Sequence, residues 1–289
     1  MKLSAQEFKN WENKAITLLG MSGVGKTYIS NILRSSDWFH YSGDYRIGTR
    51  YLDEPIIDNI KQKAMEVPFL RDLLRSDSIY IKNNITFDHL DAVSSYLGKL
   101  GNPELNGLSL EEFKHRQDLF HKAEIATMLD MPSFLDKAKN IYGFNHFVND
   151  AGGSLCEIED ENVFNILQEH TVVIYIKASK ADEKRLIDRA VSSPKPLYYR
   201  EAFLDEKLAE FMQETHTKYV AQINPDDFVR WVFPKLFHAR IPRYEALAEQ
   251  YGYTITTEQL YAVKSEMDFT TLIETVIDEE NNKLSLIHI

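Results

Sequence analysis

The chain has 289 residues, 44% of them hydrophobic, with 16 Phe and 15 Tyr to fill a core and a formal net charge of −11. That length suits one large α/β domain or a domain with a sizeable insertion, and the acidic balance argues against non-specific nucleic-acid binding. No apolar run approaches the roughly 20 residues of a membrane span, no apolar signal region follows Met1, and the single cysteine, Cys156, excludes an internal disulfide framework. Together these features point to a cytoplasmic protein.

Taken in order, Ser4 and Glu7 have the spacing of a capping box, so a short helix is expected before the first strand. Ala15–Leu19 reads as a buried strand, and Gly20-Met-Ser-Gly-Val-Gly-Lys-Thr27 follows it directly in the form G-x-x-x-x-G-K-[ST]. Each residue type has a physical task there. Gly20, Gly23 and Gly25 let the backbone turn tightly around an anion. The N–H groups of Ser22, Val24 and their neighbours point inward, and the next helix adds its positive dipole end. Lys26 would reach the β- and γ-phosphates, and the Thr27 hydroxyl would hold Mg²⁺, so the expected ligands are ATP and Mg²⁺.

Trp38–Ser42 is a short aromatic strand that gives way to a polar loop at Gly43-Asp-Tyr-Arg46. From about 55 to 141 the pattern is helical; Ser109 and Glu112 open a helix to about Leu129, and Pro132 is expected to start another. His146–Asp150 and Thr171–Lys177 read as buried strands, the first followed at once by Ala151-Gly-Gly-Ser154. A Lys- and Arg-rich helix from about Ala181 leads into Ser192-Ser-Pro-Lys-Pro-Leu197. Tyr219–Ile223 is expected to be a short strand, with Pro234 kinking or ending the helix after it. The stretch 241–283 reads as a C-terminal helical extension. The last six residues, 284–289, resemble a translated sequencing adaptor and are set aside as a non-native tail.

Strands separated by helical crossovers imply a parallel sheet with helices on both faces, and ligands in such sheets sit beyond the strands' carboxyl ends. The Gly20 loop, Asp44 and Asp150–Gly153 each follow a predicted strand.

This order of elements resembles the shikimate and gluconate kinases: the phosphate loop, an aspartate after the second strand, a glycine pair after the third, and a lid of the form R-x(n)-[RK]-P-L. Nearly the whole chain also resembles a group of uncharacterised bacterial ATPases. The resemblance implies a P-loop NTPase, a three-layer α/β/α fold with sheet order 2-3-1-4-5. Residues 1–54 and 142–240 would form the nucleotide-binding core and 55–141 a helical insertion in the substrate and lid region. It places Lys26 and Thr27 at the phosphate and Mg²⁺ positions, Asp44 facing the substrate, Gly152 and Gly153 in a substrate loop, and Arg189 and Lys195 in the lid. Ser42, Ala151 and Lys195 depart from the kinase pattern.

Asp150 reads either as an acid supporting the Mg²⁺ water shell or as a cap on the turn after its strand. Asp44 reads as a base for a substrate hydroxyl or as a polar loop residue. Arg46 and Arg50 could bind an anionic group or stay solvated. The cations Lys184, Arg185, Arg189, Lys195 and Arg200 suit a lid over a transferring phosphoryl group, or a helix face paired with Asp182, Glu183 and Asp188. Cys156 reads as a small buried thiol, and the histidines lack a metal-binding spacing. The expected function is a kinase acting on a small hydroxylated, anionic metabolite. The alternative is an ATPase switch read by a partner protein through 55–141, and a nucleotide or nucleic-acid phosphotransferase stands third.

Overall fold

The computed structural model describes residues 1–287, with side chains through Asn282. The segment 284–289, read as a non-native tail, runs beyond the described side chains. The chain divides into two compact units: Met1–Gly43, Glu124–Ser193 and Val232 onward form one, and Asp44–Ala123 with Pro194–Trp231 form the other.

The first unit is built on a five-stranded sheet in the order β2-β3-β1-β4-β5. Its strands are β1 (Ala15–Leu19), β2 (Trp38–Ser42), β3 (His146–Asp150), β4 (Val172–Lys177) and β5 (Gly252–Thr256), and every neighbouring pair is parallel. The apolar runs explain the arrangement: all of β1 is buried, as are the first five residues of β4, which a strand covered on both faces requires. Ile16, Leu18, Leu19, Ile29, Trp38, Val148, Ile174 and Ile176 lie in one continuous core. This is the α/β/α architecture and strand order of P-loop NTPases. The Ser4 capping box is present, its hydroxyl accepting the Glu7 N–H.

The fifth strand is not where the sequence pattern placed it. Tyr219–Ile223 instead holds the 3₁₀ turn Val220–Gln222 and belongs to the second unit. There the Gln222 side chain accepts the Tyr219 N–H at 3.2 Å, and the Ile223 carbonyl accepts from Asn102 at 2.8 Å. β5 comes from the stretch expected to be purely helical. A Cβ on Gly252 would lie 2.1 Å from the Val173 carbonyl oxygen, so only glycine lets this strand open against β4.

Two prolines fail to interrupt helices. Pro132 lies inside one helix, Leu110–Asn140, rather than starting a second. Proline removes its own N–H bond and crowds the carbonyl four residues back, but the flanking turn is held by buried Met128 and Met131 and by the Tyr41 hydroxyl, which donates to the Thr127 carbonyl at 2.7 Å. Pro234 likewise does not end its helix, which runs Pro225–Tyr251 and also contains Pro242.

The second unit is helical, with Asp53–Met65, Pro68–Arg75, Asp91–Leu97 and Glu201–Glu214 among its elements. Ile47, Leu52, Ile56, Val93, Leu97 and Phe120 contribute to its core. Its limits differ from the expected 55–141 insertion, because 194–231 packs with it. The Gln117 amide donates to the Leu197 carbonyl at 3.2 Å and accepts from Tyr199 N at 2.8 Å. Lys99 pairs with Asp226. The polar loop expected at Asp44 is helical, Gly43–Arg46, and runs into a π-helical turn, Ile47–Tyr51. Among the described residues no helix is long and apolar enough to cross a membrane.

Candidate functional site

The loop Gly20–Thr27 joins β1 to the helix Lys26–Arg34, whose N-cap is Gly25 at φ 102°. That left-handed backbone is open to glycine and strained for other residues. Lys26 is buried, and its ammonium donates to the carbonyls of Gly20 at 2.8 Å and Met21 at 3.2 Å, inside the curl of the loop. The helix N-terminus supplies unsatisfied N–H groups at the same place.

The Thr27 hydroxyl donates to Asp150 Oδ2 at 3.0 Å. Asp150 ends β3, in register with Leu18 of β1 and Ser42 of β2, so the sheet delivers the carboxylate to the foot of the loop. His40 of β2 is buried, and its Nε2 lies 3.7 Å from the same Oδ2. A hydroxyl and a carboxylate are hard oxygen donors of the kind Mg²⁺ takes alongside water and phosphate, so the residues present fit that ion. Among the described residues no cluster of three or more His, Cys, Asp or Glu offers a self-contained metal cage.

The glycine turn after β3 presses on the phosphate loop. A Cβ on Gly153 would lie 2.8 Å from Ser22 N and 3.2 Å from Ser22 Cα. The turn is held from behind by buried polar groups that sequence reading missed. Ser154 donates to both oxygens of Glu124 at 2.9 Å. Arg240 donates to the Gly153 carbonyl at 3.1 Å and to Glu157 at 3.0 Å, and Arg243 donates to the Cys156 carbonyl at 3.2 Å. Glu124, Glu157 and Arg240 are all buried. One signal was available: Arg240 and Arg243 stand one helical turn apart in an acidic chain. Cys156 itself is buried, and burial pushes its thiol up to about 12, which suits packing and not nucleophilic attack.

The helix Lys180–Ser192 follows β4 and carries Lys184, Arg185 and Arg189 of the basic stretch. Lys184 pairs with Asp188 at 2.8 Å and Arg185 with Asp182 at 2.6 Å, as a paired helix face would require, while Glu183 pairs with His238. Arg189 differs from these. A Cβ on Gly23 would lie 2.8 Å from its Nη2, so its guanidinium rests on the phosphate loop. A third wall comes from the helix Thr257–Ala262: Leu260 and Tyr261 pack at Gly25, and Tyr261 meets Tyr28 edge to face. Arg185 donates to the Tyr261 hydroxyl at 3.1 Å. Asp182 ties this helix to Lys180–Ser192 by accepting from Thr257 at 2.5 Å, a bond that holds its carboxyl below the usual range.

Of the sequence-predicted residues, the structure brings together Gly20–Thr27, Asp150, Gly152–Gly153 and Arg189 in the first unit. Asp44, Arg46 and Lys195 belong to the second. There Asp44 and Lys195 are exposed, and the Arg46 guanidinium lies 5.7 Å from the centre of the Tyr51 ring.

No family model matches the chain, and no curated protein matches it. Among solved structures it is similar to a shikimate kinase from Bacteroides thetaiotaomicron, at 13% identity over 94% of this chain and 98% of that one, with a TM-score of 0.39. It is similar also to a shikimate kinase from Acinetobacter baumannii in complex with shikimate, at 13% identity over 96% and 98% of the two chains, with a TM-score of 0.38. The chain's own strand order, β2-β3-β1-β4-β5 with every neighbouring pair parallel, defines the fold.

Proposed function

We propose that this protein is a kinase: it binds Mg·ATP on the Gly20–Thr27 loop and passes the γ-phosphoryl group to a small hydroxylated, anionic metabolite. The observation that carries the reading is the Thr27–Asp150 contact at 3.0 Å beneath a loop whose lysine is already turned inward. In this reading the loop N–H groups and Lys26 neutralise the phosphates, and Thr27 and Asp150 hold the Mg²⁺ and its water. Mg²⁺, when bound, would supply neutralisation of the phosphates' negative charge. Tyr261 and Arg185 line the wall on which the base would lie. Arg189, resting on Gly23, stabilises the negative charge that builds on the transferring group.

The acceptor oxygen forms its bond to the γ-phosphorus as the bond to the β-bridging oxygen breaks, and ADP leaves with that electron pair. Asp44 takes the acceptor's proton, and Gly152, Gly153 and Lys195 contact acceptor or phosphate, assignments that rest on the motif resemblance; Arg46, assigned from its place in the polar stretch after β2, binds an anionic group of the acceptor or the γ-phosphate. The rate would come from positioning and charge stabilisation, with little covalent chemistry from the protein. Such a reaction suits the cytoplasm, where ATP is plentiful.

From the sequence, the ATPase-switch alternative gains support from the C-terminal stretch 241–283 if that stretch forms helices without a role in the core. Those residues supply β5 and the helix against Gly25, which weakens that support. The test is ATP turnover against a panel of hydroxylated carboxylates and sugars acids, read by ³¹P resonance. One new phosphoester is expected; slow hydrolysis that no acceptor alters would favour the switch.

A further inference from the structure

His40 is a buried imidazole that the proposed chemistry does not use. It lies on β2, two residues before Ser42, and Ser42 is in register with Asp150 on β3. Side chains two apart on a strand share a face, and residues in register on neighbouring strands do too. His40 and Asp150 therefore project to the same side of the sheet, on a diagonal. The result is Nε2 at 3.7 Å from Oδ2, the oxygen that also accepts the Thr27 hydroxyl at 3.0 Å. The imidazole side chain is 2% exposed and the carboxylate 10%. At 3.7 Å the pair is beyond hydrogen-bond distance, so the contact is one of charge and dipole. A buried carboxylate that is to meet a metal needs its rotamer fixed, and a rigid polar neighbour behind it does this at little entropic cost.

We propose that His40 is a positioning residue for the metal site: its Nε2–H steers Oδ2 of Asp150, so that the carboxylate stands ready beside Thr27 when Mg·ATP arrives. The inference rests on the Mg·ATP reading of Thr27 and Asp150. It assigns His40 no contact with nucleotide or acceptor. It needs only an Nε2–H dipole facing the carboxylate, which the neutral ring supplies in one tautomer.

Two polar substitutions separate steering from simple packing. Gln carries its amide nitrogen near the position of the imidazole Nε2, and Asn carries it near Nδ1, one bond short of Asp150. ATP binding to the wild type, His40→Gln and His40→Asn is measured by calorimetry, with MgCl₂ and with EDTA. The gain in ATP affinity that Mg²⁺ brings should be close to wild type in His40→Gln and reduced about tenfold or more in His40→Asn. Binding in EDTA should be the same in all three. A full Mg²⁺ gain in His40→Asn overturns the inference, as does an equal loss with and without Mg²⁺, since that reports packing. If Mg²⁺ brings no gain even to the wild type, the reading of Thr27 and Asp150 falls, and the role of His40 with it.

Discussion

Thr27 and Asp150 meet at 3.0 Å, which joins the first turn after the phosphate loop to the end of the neighbouring strand, β3. β3 lies beside β1 in the sheet, so the hydroxyl and the carboxylate are brought together by strand order. Asp150→Asn keeps the shape and removes the charge. ATP affinity in Mg²⁺ should fall about 10–100-fold while affinity in EDTA holds, as calorimetry would read.

Gly153 has no room for a side chain, because the backbone of Ser22 lies where a Cβ would go. Backbone cannot step aside as a flexible side chain can. Gly153→Ala should destabilise by about 1–3 kcal/mol and weaken ATP binding as well, since the phosphate loop is the part displaced. Melting temperature and ATP affinity that both match the wild type would show that the turn does not bear on the loop.

Arg240 and Glu157 form a buried ion pair, 5% and 3% exposed. Truncating one partner strands the other charge away from water, so Arg240→Met should cost about 3–5 kcal/mol in denaturant unfolding. Adding Glu157→Gln should recover part of that loss, because the stranded charge is then gone. A double variant as unstable as the sum of its parts would contradict the pairing.

Arg189 and Lys184 share a helix but should behave differently. Arg189→Ala should lower kcat about 10²–10³-fold, with ATP affinity changed only a few-fold. Lys184 is exposed and pairs with Asp188 one turn away, so Lys184→Ala should leave both constants near wild type. Equal effects from the two would remove Arg189 from the site.

The Cys156 thiol gives a pH signature. Burial raises it from 9.0 to about 12, so the unfolded chain loses this proton first as pH rises. The stabilisation is therefore fully present below pH 9 and is lost between 9 and 12. Unfolding free energies measured up the alkaline limb should fall more steeply for wild type than for Cys156→Ala. The native thiol should also resist alkylation at pH 8.

The phosphate loop and four of the five strands were legible because their signals are local. β1, β3 and β4 are short buried runs, and the loop is a contiguous motif. β2 was equally plain, since its aromatic run ends in a glycine. β5 was not legible: Gly252-Tyr-Thr-Ile-Thr256 becomes a strand by pairing with β4, and glycine at its head reads as a break. Tyr219–Ile223 has better strand composition, but a side-chain cap from Gln222 won locally. The division into units was hidden because Leu110–Asn140 is one uninterrupted helix across the boundary. The clamp of Glu124, Arg240 and Glu157 was hidden for a related reason, as its members meet only through tertiary packing.

Triphosphate binding at the loop is the central claim, and a calorimetric titration of Mg·ATP into wild type and Lys26→Ala tests it most directly. Saturable binding by the wild type, weakened strongly in the variant, is expected, because the buried ammonium faces the loop interior. Equal affinity in the two proteins, or no binding by either, would contradict the account.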